Sequence, residues 1–244
     1  MKISACLIIR NEEKLLPRCL DSLNGVVDEI IVVHDGPCSD NSLDIAKNYK
    51  TKVFIQPFAG VAEPHRPFTF QKATGDWILQ IDADEYLSKK AQKEIPKLVT
   101  STSIDAYSFL WPYPKNDSYI QSGPFSKTIK HCLFRKSKLF MIGIAQEYPR
   151  TYGVLRKRND ILLEHKPEYN NFTSQKFEQK WTYWAKLQAF QISNIGNAPI
   201  FNIPNPAENK IFRQYLFVRQ HPILTGIIET IKFLGIYILR DILW

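Results

Sequence analysis

Trp77-Ile78-Leu79-Gln80-Ile81-Asp82-Ala83-Asp84-Glu85 is an almost wholly apolar run that stops abruptly at a cluster of acids. A short apolar run of this kind, bounded by polar residues, reads as a strand covered on both faces, as in a parallel sheet layered by helices. The same pattern recurs on the N-terminal side. Residues 3–9 are apolar and give way at once to Arg10-Asn11-Glu12-Glu13, and Glu29-Ile30-Ile31-Val32-Val33 ends in His34-Asp35-Gly36. Between these two runs, Leu15, Leu16, Cys19, Leu20 and Leu23 recur at helical spacing, and Gly25 stops the helix. Asp40 or Asn41 is placed to cap a helix to about residue 49; a short strand at 53–55 and a Pro- and aromatic-rich loop at 57–70 follow. Strands alternating with helices imply right-handed crossovers and a doubly wound, mainly parallel, Rossmann-like α/β sheet. Such sheets bind ligands beyond the carboxyl ends of their strands, where Asp35, Asp82 and Asp84 all fall.

Further along, the pattern changes. Short β-like runs at 106–111, 128–134 and 160–163, with Pro- and Gly-containing turns between them, predict mixed strands that complete the sheet. Helical character returns at 173–195, marked by Trp181, Trp184, Leu187 and Ile192, and Pro199, Pro204 and Pro206 then form a linker. The tail, 210–244, reads as an amphipathic helical extension. Thr225, Glu229, Lys232 and Arg240 fall on one side of a helical wheel and Ile227, Ile228, Ile231, Leu234, Ile238, Leu239 and Ile242 on the other. The expectation is contact with a membrane surface, Tyr237 and Trp244 sitting at headgroup level; packing on the core or on a second subunit is the alternative.

The 244 residues suffice for one large domain or two small ones, and 44% hydrophobic with 23% charged residues excludes a disordered chain. The net charge of +8 is unevenly placed. Residues 1–100 carry 13 Lys/Arg against 14 Asp/Glu, whereas 101–244 carry 19 against 10. A uniformly basic, histone-like protein is thereby excluded, and an acidic partner is expected for the C-terminal part alone. The four cysteines, Cys6, Cys19, Cys38 and Cys132, show no CxxC spacing and call for no disulfide scaffold. Residues 3–9 are too short for a signal-peptide core, and no apolar run reaches the roughly 18–20 residues of a membrane span. A cytoplasmic protein is expected, peripheral at the inner face of the cell membrane.

Asp82 and Asp84, at i and i+2 on the mouth of a strand, can share a divalent cation or divide a ribose hydroxyl and the metal between them. Hard oxygen ligands of this kind suit Mg²⁺ or Mn²⁺ bound together with substrate phosphates. A D-x-D triplet alone is weak, and the plain alternative is a solvated strand end with Asp84 and Glu85 capping the next helix. Asp35 can accept a hydrogen bond from a nucleobase N–H while Gly36 admits a close-lying ligand; a simple Asp-Gly turn fits equally well, and His34 beside it is expected to pack. Arg66 and Lys72, ahead of the Trp77 strand, are placed to add positive charge near a leaving phosphate.

Three blocks in this order and spacing, Ser4 to Glu13, Asp28 to Gly36 and Ala73 to Glu85, resemble the family-2 glycosyltransferases, most of all bacterial non-processive members that build lipopolysaccharide core sugars. The resemblance implies a GT-A fold, a nucleotide-diphosphate sugar donor, a lipid-linked or glycan acceptor, and an inverting transfer assisted by a divalent metal. It divides the chain into a donor-binding half at 1–100, an acceptor-side half at 101–170 and a helical extension at 171–244. Asn11, Glu12, Asp35, Lys72 and Asp82 become donor-site residues and Asp84, with Asp82, the metal site. Gly143-Ile144-Ala145-Gln146-Glu147 resembles the block in which relatives carry a His-Glu pair, which makes Glu147 the general base that takes the acceptor proton. Gln146 stands where those relatives often have His. His165 resembles a downstream histidine that reaches the metal or the diphosphate; a hydrogen-bonded structural histidine is the alternative. Pro37-Cys38-Ser39 replaces the usual Ser/Thr-rich turn, and no Gln-x-x-Arg-Trp sequence occurs, which favours addition of a single sugar.

Two other classes compete. A nucleotidyltransferase can use paired acids around a metal, yet no Gly-rich phosphate loop lies near the N-terminus. A basic nucleic-acid-binding protein would account for the charge, but zinc-finger, helix-turn-helix and RNP signatures are all missing, so no nucleic-acid partner is expected.

Overall fold

The seven residues Ile3–Ile9 are all buried and form β1, the inner strand on which the first half of the sheet is built. In this computed structural model, whose described residues are 1–115, 118–120, 127–168 and 174–224, helix and strand then alternate. Helix α1 (Leu16–Leu23) leads to β2 (Glu29–Asp35), α2 (Ser42–Asn48) to β3 (Lys52–Gln56), and α3 (Arg66–Lys72) to β4 (Trp77–Gln80). Next come β5 (Glu85–Leu87), α4 (Lys89–Leu98), β6 (Ala106–Leu110), the two-residue strands β7 (Pro114–Lys115) and β8 (Ser118–Tyr119), and β9 (Ile129–Arg135). Strands β10 (Leu139–Ile142), β11 (Arg150–Thr151) and β12 (Leu155–His165) precede helix α5 (Ser174–Ser193), β13 (Ile200–Phe201) and helix α6 (Lys210–Gln220).

Eight strands form one sheet in the order β3-β2-β1-β4-β9-β6-β12-β5. The four strands from β3 to β4 are parallel, so the ends of β1, β2 and β4 deliver Asn11, Asp35 and Asp82 to one edge. Strand β9 runs antiparallel to both β4 and β6, and β5 antiparallel to β12. The expected doubly wound sheet is therefore parallel in its first half and mixed in its second. A small sheet, β11-β10-β13, lies apart from it.

Alternation along β1 separates two cores. Ile3, Ala5, Leu7 and Ile9 pack with Leu16, Leu20 and Leu23 of α1 and Ile95 of α4. Cys6 faces the other way, into a cluster with Phe70, Ile78, Phe134 and Phe201. Each Leu, Ile or Phe among them, fully buried, contributes about 1.5–3 kcal/mol before entropy is counted. A third cluster joins Phe140, Ile142 and Ile144 to Ile195, Ile203 and Phe212, tying the helical extension to the β10 region.

Several expectations need correction. The loop at 57–70 becomes helical from Glu63 onward, because Pro64 and Pro67 stand in first turns, where a missing N–H costs nothing, and Thr69 and Phe70 are buried. Asp84 and Glu85 do not cap a helix: Glu85 opens β5, and Ser88 Oγ accepts from Ala91 N at 3.2 Å to cap α4. The run at 160–163 is only the end of β12, whose first half is polar and mostly exposed and so carries no apolar pattern. Cys6, Cys19, Cys38 and Cys132 are all unpaired. Among the described residues, no helix is long and apolar enough to cross a membrane. The amphipathic segment 225–244 lies outside the described residues.

Candidate active site

The register of the sheet assembles the acids at its ligand edge. Antiparallel pairing of β12 with β5 sets His165 opposite Glu85, and His165 Nε2 lies 3.2 Å from Asp84 Oδ2. Pairing of β9 with β4 brings the N-terminal end of β9 beside the end of β4, which puts Lys130 at the acids. Lys130 Nζ donates to Asp82 Oδ2 at 2.7 Å and to both Glu85 carboxylate oxygens at 2.6 Å. Arg66 Nη2 donates to Asp82 Oδ1 at 3.0 Å. Burial alone would raise the Asp82 carboxyl, but the Arg66 and Lys130 cations outweigh it and hold the group below the usual carboxylate range. Burial pushes Glu85 upward, helped by Asp82 and Asp84 and opposed by Lys130.

The two acids of the D-x-D triplet thus stand in different environments. Each oxygen of Asp82 accepts from a cation, Arg66 on one side and Lys130 on the other. Asp84 has the His165 imidazole and lies among further acids. Burial, then Asp84, Asp40, Asp82 and Glu168, raises Glu12 from 4.5 to about 7. Among the described residues, no three His, Cys, Asp or Glu side chains converge into a complete metal cage. A divalent cation that binds with substrate phosphates needs only one or two carboxylates from the protein, and an oxygen–imidazole pair inside an acidic field fits that demand. Asp84 and His165 are therefore the residues that would hold it.

The ends of β1 and β2 show what sequence alone left open. Asp35 is nearly inaccessible, and its carboxylate accepts from Ala59 N at 2.6 Å, Gly60 N at 2.9 Å and His65 Nε2 at 2.8 Å. It anchors the following loop, with no oxygen turned to an open cleft. Gly36, at φ +77°, admits a close neighbour, but that neighbour is Phe58, whose Cβ lies 3.0 Å from where a Cβ would stand. His34 packs as expected: its Nε2 accepts from Asn11 N at 3.2 Å, which leaves Nδ1 to donate to the Gly36 carbonyl at 2.8 Å. Asn11 adopts φ +53° and its Oδ1 accepts from Ser39 N at 2.9 Å, so it braces the turn after β2. Lys72 stands away from the acids, its ammonium over the Phe54 and Phe68 rings at 5.7 and 5.2 Å.

Glu147 occupies another wall of the same cleft. The cleft encloses about 860 Å³ and is lined by Arg66, Asp82, Trp111, Lys130, Glu147 and Tyr148, among others. Glu147 follows Gln146, which is held at φ +65°, and it is only 5% exposed. Its Oε1 accepts from Arg150 Nε at 2.8 Å and its Oε2 from the Tyr215 hydroxyl. Each carboxylate oxygen keeps a lone pair for a further donor. Trp111 lines the cleft and stacks on His165 with ring centres 4.4 Å apart, joining the Asp84–His165 pair to this cavity. Of the predicted residues, Asp82 and Glu147 line the cleft, Asp84 and His165 join it through Trp111, and Glu12 is coupled to Asp84 and Asp82 by charge; Asn11 and Asp35 support loops, and Lys72 is elsewhere. Lys130 and Trp111 were not anticipated. A basic residue near the start of the 128–134 run was the available signal for Lys130, but its acids lie 45 and 48 positions away in sequence.

Comparisons with known proteins give the family and the fold. The sequence profile described as "Glycosyl transferase family 2" matches residues 4–158. A Rickettsia felis protein named "Uncharacterized glycosyltransferase" is 40% identical over 106 residues, 43% of this chain and 37% of that protein. "Lipopolysaccharide core biosynthesis glycosyltransferase LpsC" of Rhizobium meliloti is 27% identical over 107 residues, 42% of this chain and 38% of that protein. The match spans little more than a third of the length of either relative. Among solved structures, S. aureus TarS superposes with a TM-score of 0.52 at 16% identity, covering 91% of this chain and 44% of that one, a likeness of fold. With the profile spanning more than half of its residues, the chain belongs to glycosyl transferase family 2.

Proposed function

We propose that this chain is an inverting glycosyltransferase that moves one sugar from a nucleotide-diphosphate donor to a lipid-linked or glycan acceptor. The observation that carries the reading is a single cleft with Asp82 and its two cations on one wall and Glu147 on another. Residues 1–100 supply the donor side and 101–170 the acceptor side with the base. In the proposed reaction, Glu147 takes the proton of the acceptor hydroxyl as that oxygen attacks the anomeric carbon from the face opposite the diphosphate. Its burial excludes bulk water from the proton being moved. Arg66 and Lys130 hold Asp82 ionised, facing the donor, and Asp84 with His165 would hold Mn²⁺ or Mg²⁺. When bound, that cation supplies a Lewis acid for the charge that develops on the departing diphosphate. The basic C-terminal part is read as the side that faces an anionic membrane surface.

A panel of UDP- and GDP-sugars, assayed with Mn²⁺ and then with EDTA, tests the reading. Release of nucleoside diphosphate that needs the metal supports it. Release of pyrophosphate would instead mark a nucleotidyltransferase.

A further inference from the structure

The loop that carries Glu147 is held mainly by the helical extension. Gln188 and Gln191 are three positions apart on α5 and so share a face. Gln191 Oε1 accepts from Ala145 N at 2.6 Å, and Gln188 Nε2 donates to the Ala145 carbonyl at 2.8 Å. The two side chains together satisfy both backbone groups of a fully buried residue two positions before the candidate base. From α6, the Tyr215 hydroxyl donates to Glu147 Oε2. Burial, with the bond to Glu147, pushes the Tyr215 phenol up, so that it stays a donor at neutral pH. Glu63 Oε1 closes the loop from the other side, accepting from Gln146 N at 3.2 Å. Gly143 fixes the start of the loop: a Cβ there would lie 3.0 Å from the Glu63 carbonyl and from Pro67 Cγ. Helix α6 is itself seated by Phe212 in the cluster with Phe140, Ile142 and Ile144.

The contacts from Gln188, Gln191 and Tyr215 all come from beyond residue 158, where the family profile ends. We propose that α5 and α6 form a clamp in which Gln188, Gln191 and Tyr215 are positioning residues for Glu147. The inference rests on the proposed base role of Glu147. A base must be held closely to its line of attack, since a displacement of about 1 Å can cost on the order of 100-fold in rate. The polarity of the clamp is specific: Gln191 serves as an acceptor, Gln188 as a donor, and Tyr215 as a donor.

That polarity gives the test. In the full chain, Gln191→Glu keeps the acceptor and retains turnover close to wild type. Gln188→Glu sets a carboxylate against the Ala145 carbonyl and lowers kcat by about ten-fold or more, as does the double change Gln188→Ala/Gln191→Ala. Tyr215→Phe, which removes one oxygen, lowers kcat by about three- to ten-fold. In each variant the KM for the nucleotide sugar and the affinity for UDP with Mn²⁺ stay within about two-fold of wild type. Wild-type kcat in Gln188→Glu and Tyr215→Phe overturns the clamp, and so does a loss of UDP affinity in step with kcat. A wild-type chain that binds no UDP and releases no nucleoside diphosphate overturns the transferase reading, and the clamp with it.

Discussion

Glu147 is where a single atom distinguishes the roles a residue can play. Glu147→Gln keeps the shape and the bond from Arg150 but removes the proton acceptor, so kcat is expected to fall by about 10²–10⁴ while UDP affinity is retained. Loss of UDP binding in calorimetry would assign Glu147 to structure. Asp84→Ala is expected to weaken Mn²⁺ binding by at least about ten-fold, while Lys72→Ala, whose ammonium rests on Phe54 and Phe68, leaves it unchanged. Glu12 adds a pH dependence. Its carboxyl is raised from 4.5 to about 7, so the folded state retains this proton where the unfolded chain has lost it. The contribution to stability is full below 4.5 and is lost as pH rises through about 7. Glu12→Gln therefore flattens part of the fall in urea midpoint between about pH 4.5 and 7; an unchanged slope would show that Glu12 is not raised. At this scale, the place of Asp84 at the ligand edge was legible because the apolar strand before it ends at the acids. Asp35 was not, because its partners, Ala59, Gly60 and His65, belong to a loop whose path depends on tertiary packing.

Elements were legible wherever their periodicity was apolar. The strands β1, β2 and β4 and helix α1 announce themselves because both faces, or one clear stripe, are buried. Strand β12 announces only its last residues, since the polar first half is held by backbone pairing to β6, which leaves no trace in composition. Likewise β10 was missed: Leu139–Ile142 is four apolar residues, too short to separate from a turn of buried helix. Helix α6 shows how a local cap supports a distant residue. Asn209 Oδ1 accepts from Ile211 N at 3.0 Å and Phe212 N at 3.1 Å, fixing the first turn of the helix that presents Tyr215. Asn209→Ala is expected to cost about 1 kcal/mol in chemical denaturation, and a variant as stable as wild type would show that the cap is idle.

Over the whole molecule, the charge is divided as the proposed tasks are. The near-neutral first hundred residues place acids where a cation and a diphosphate are expected, and the net +9 of the remainder lies with the proposed acceptor side and the extension. Read as a membrane-facing surface, that charge predicts sedimentation of the full chain with phosphatidylglycerol vesicles at low salt. Release is expected at about 0.5 M salt, where screening shortens to a few ångströms, and neutral vesicles should not retain the protein. Equal binding to both vesicle types would remove the electrostatic account of the tail. The proposed reaction turns on one cleft that would join a metal-assisted leaving group to a buried base. Its most direct test is nucleotide release from a UDP-sugar panel, with Mn²⁺ or EDTA, by wild type and Glu147→Gln. The account predicts UDP release by wild type with Mn²⁺ and little by either EDTA-treated wild type or the variant. Equal release by the variant, or release indifferent to EDTA, would contradict it.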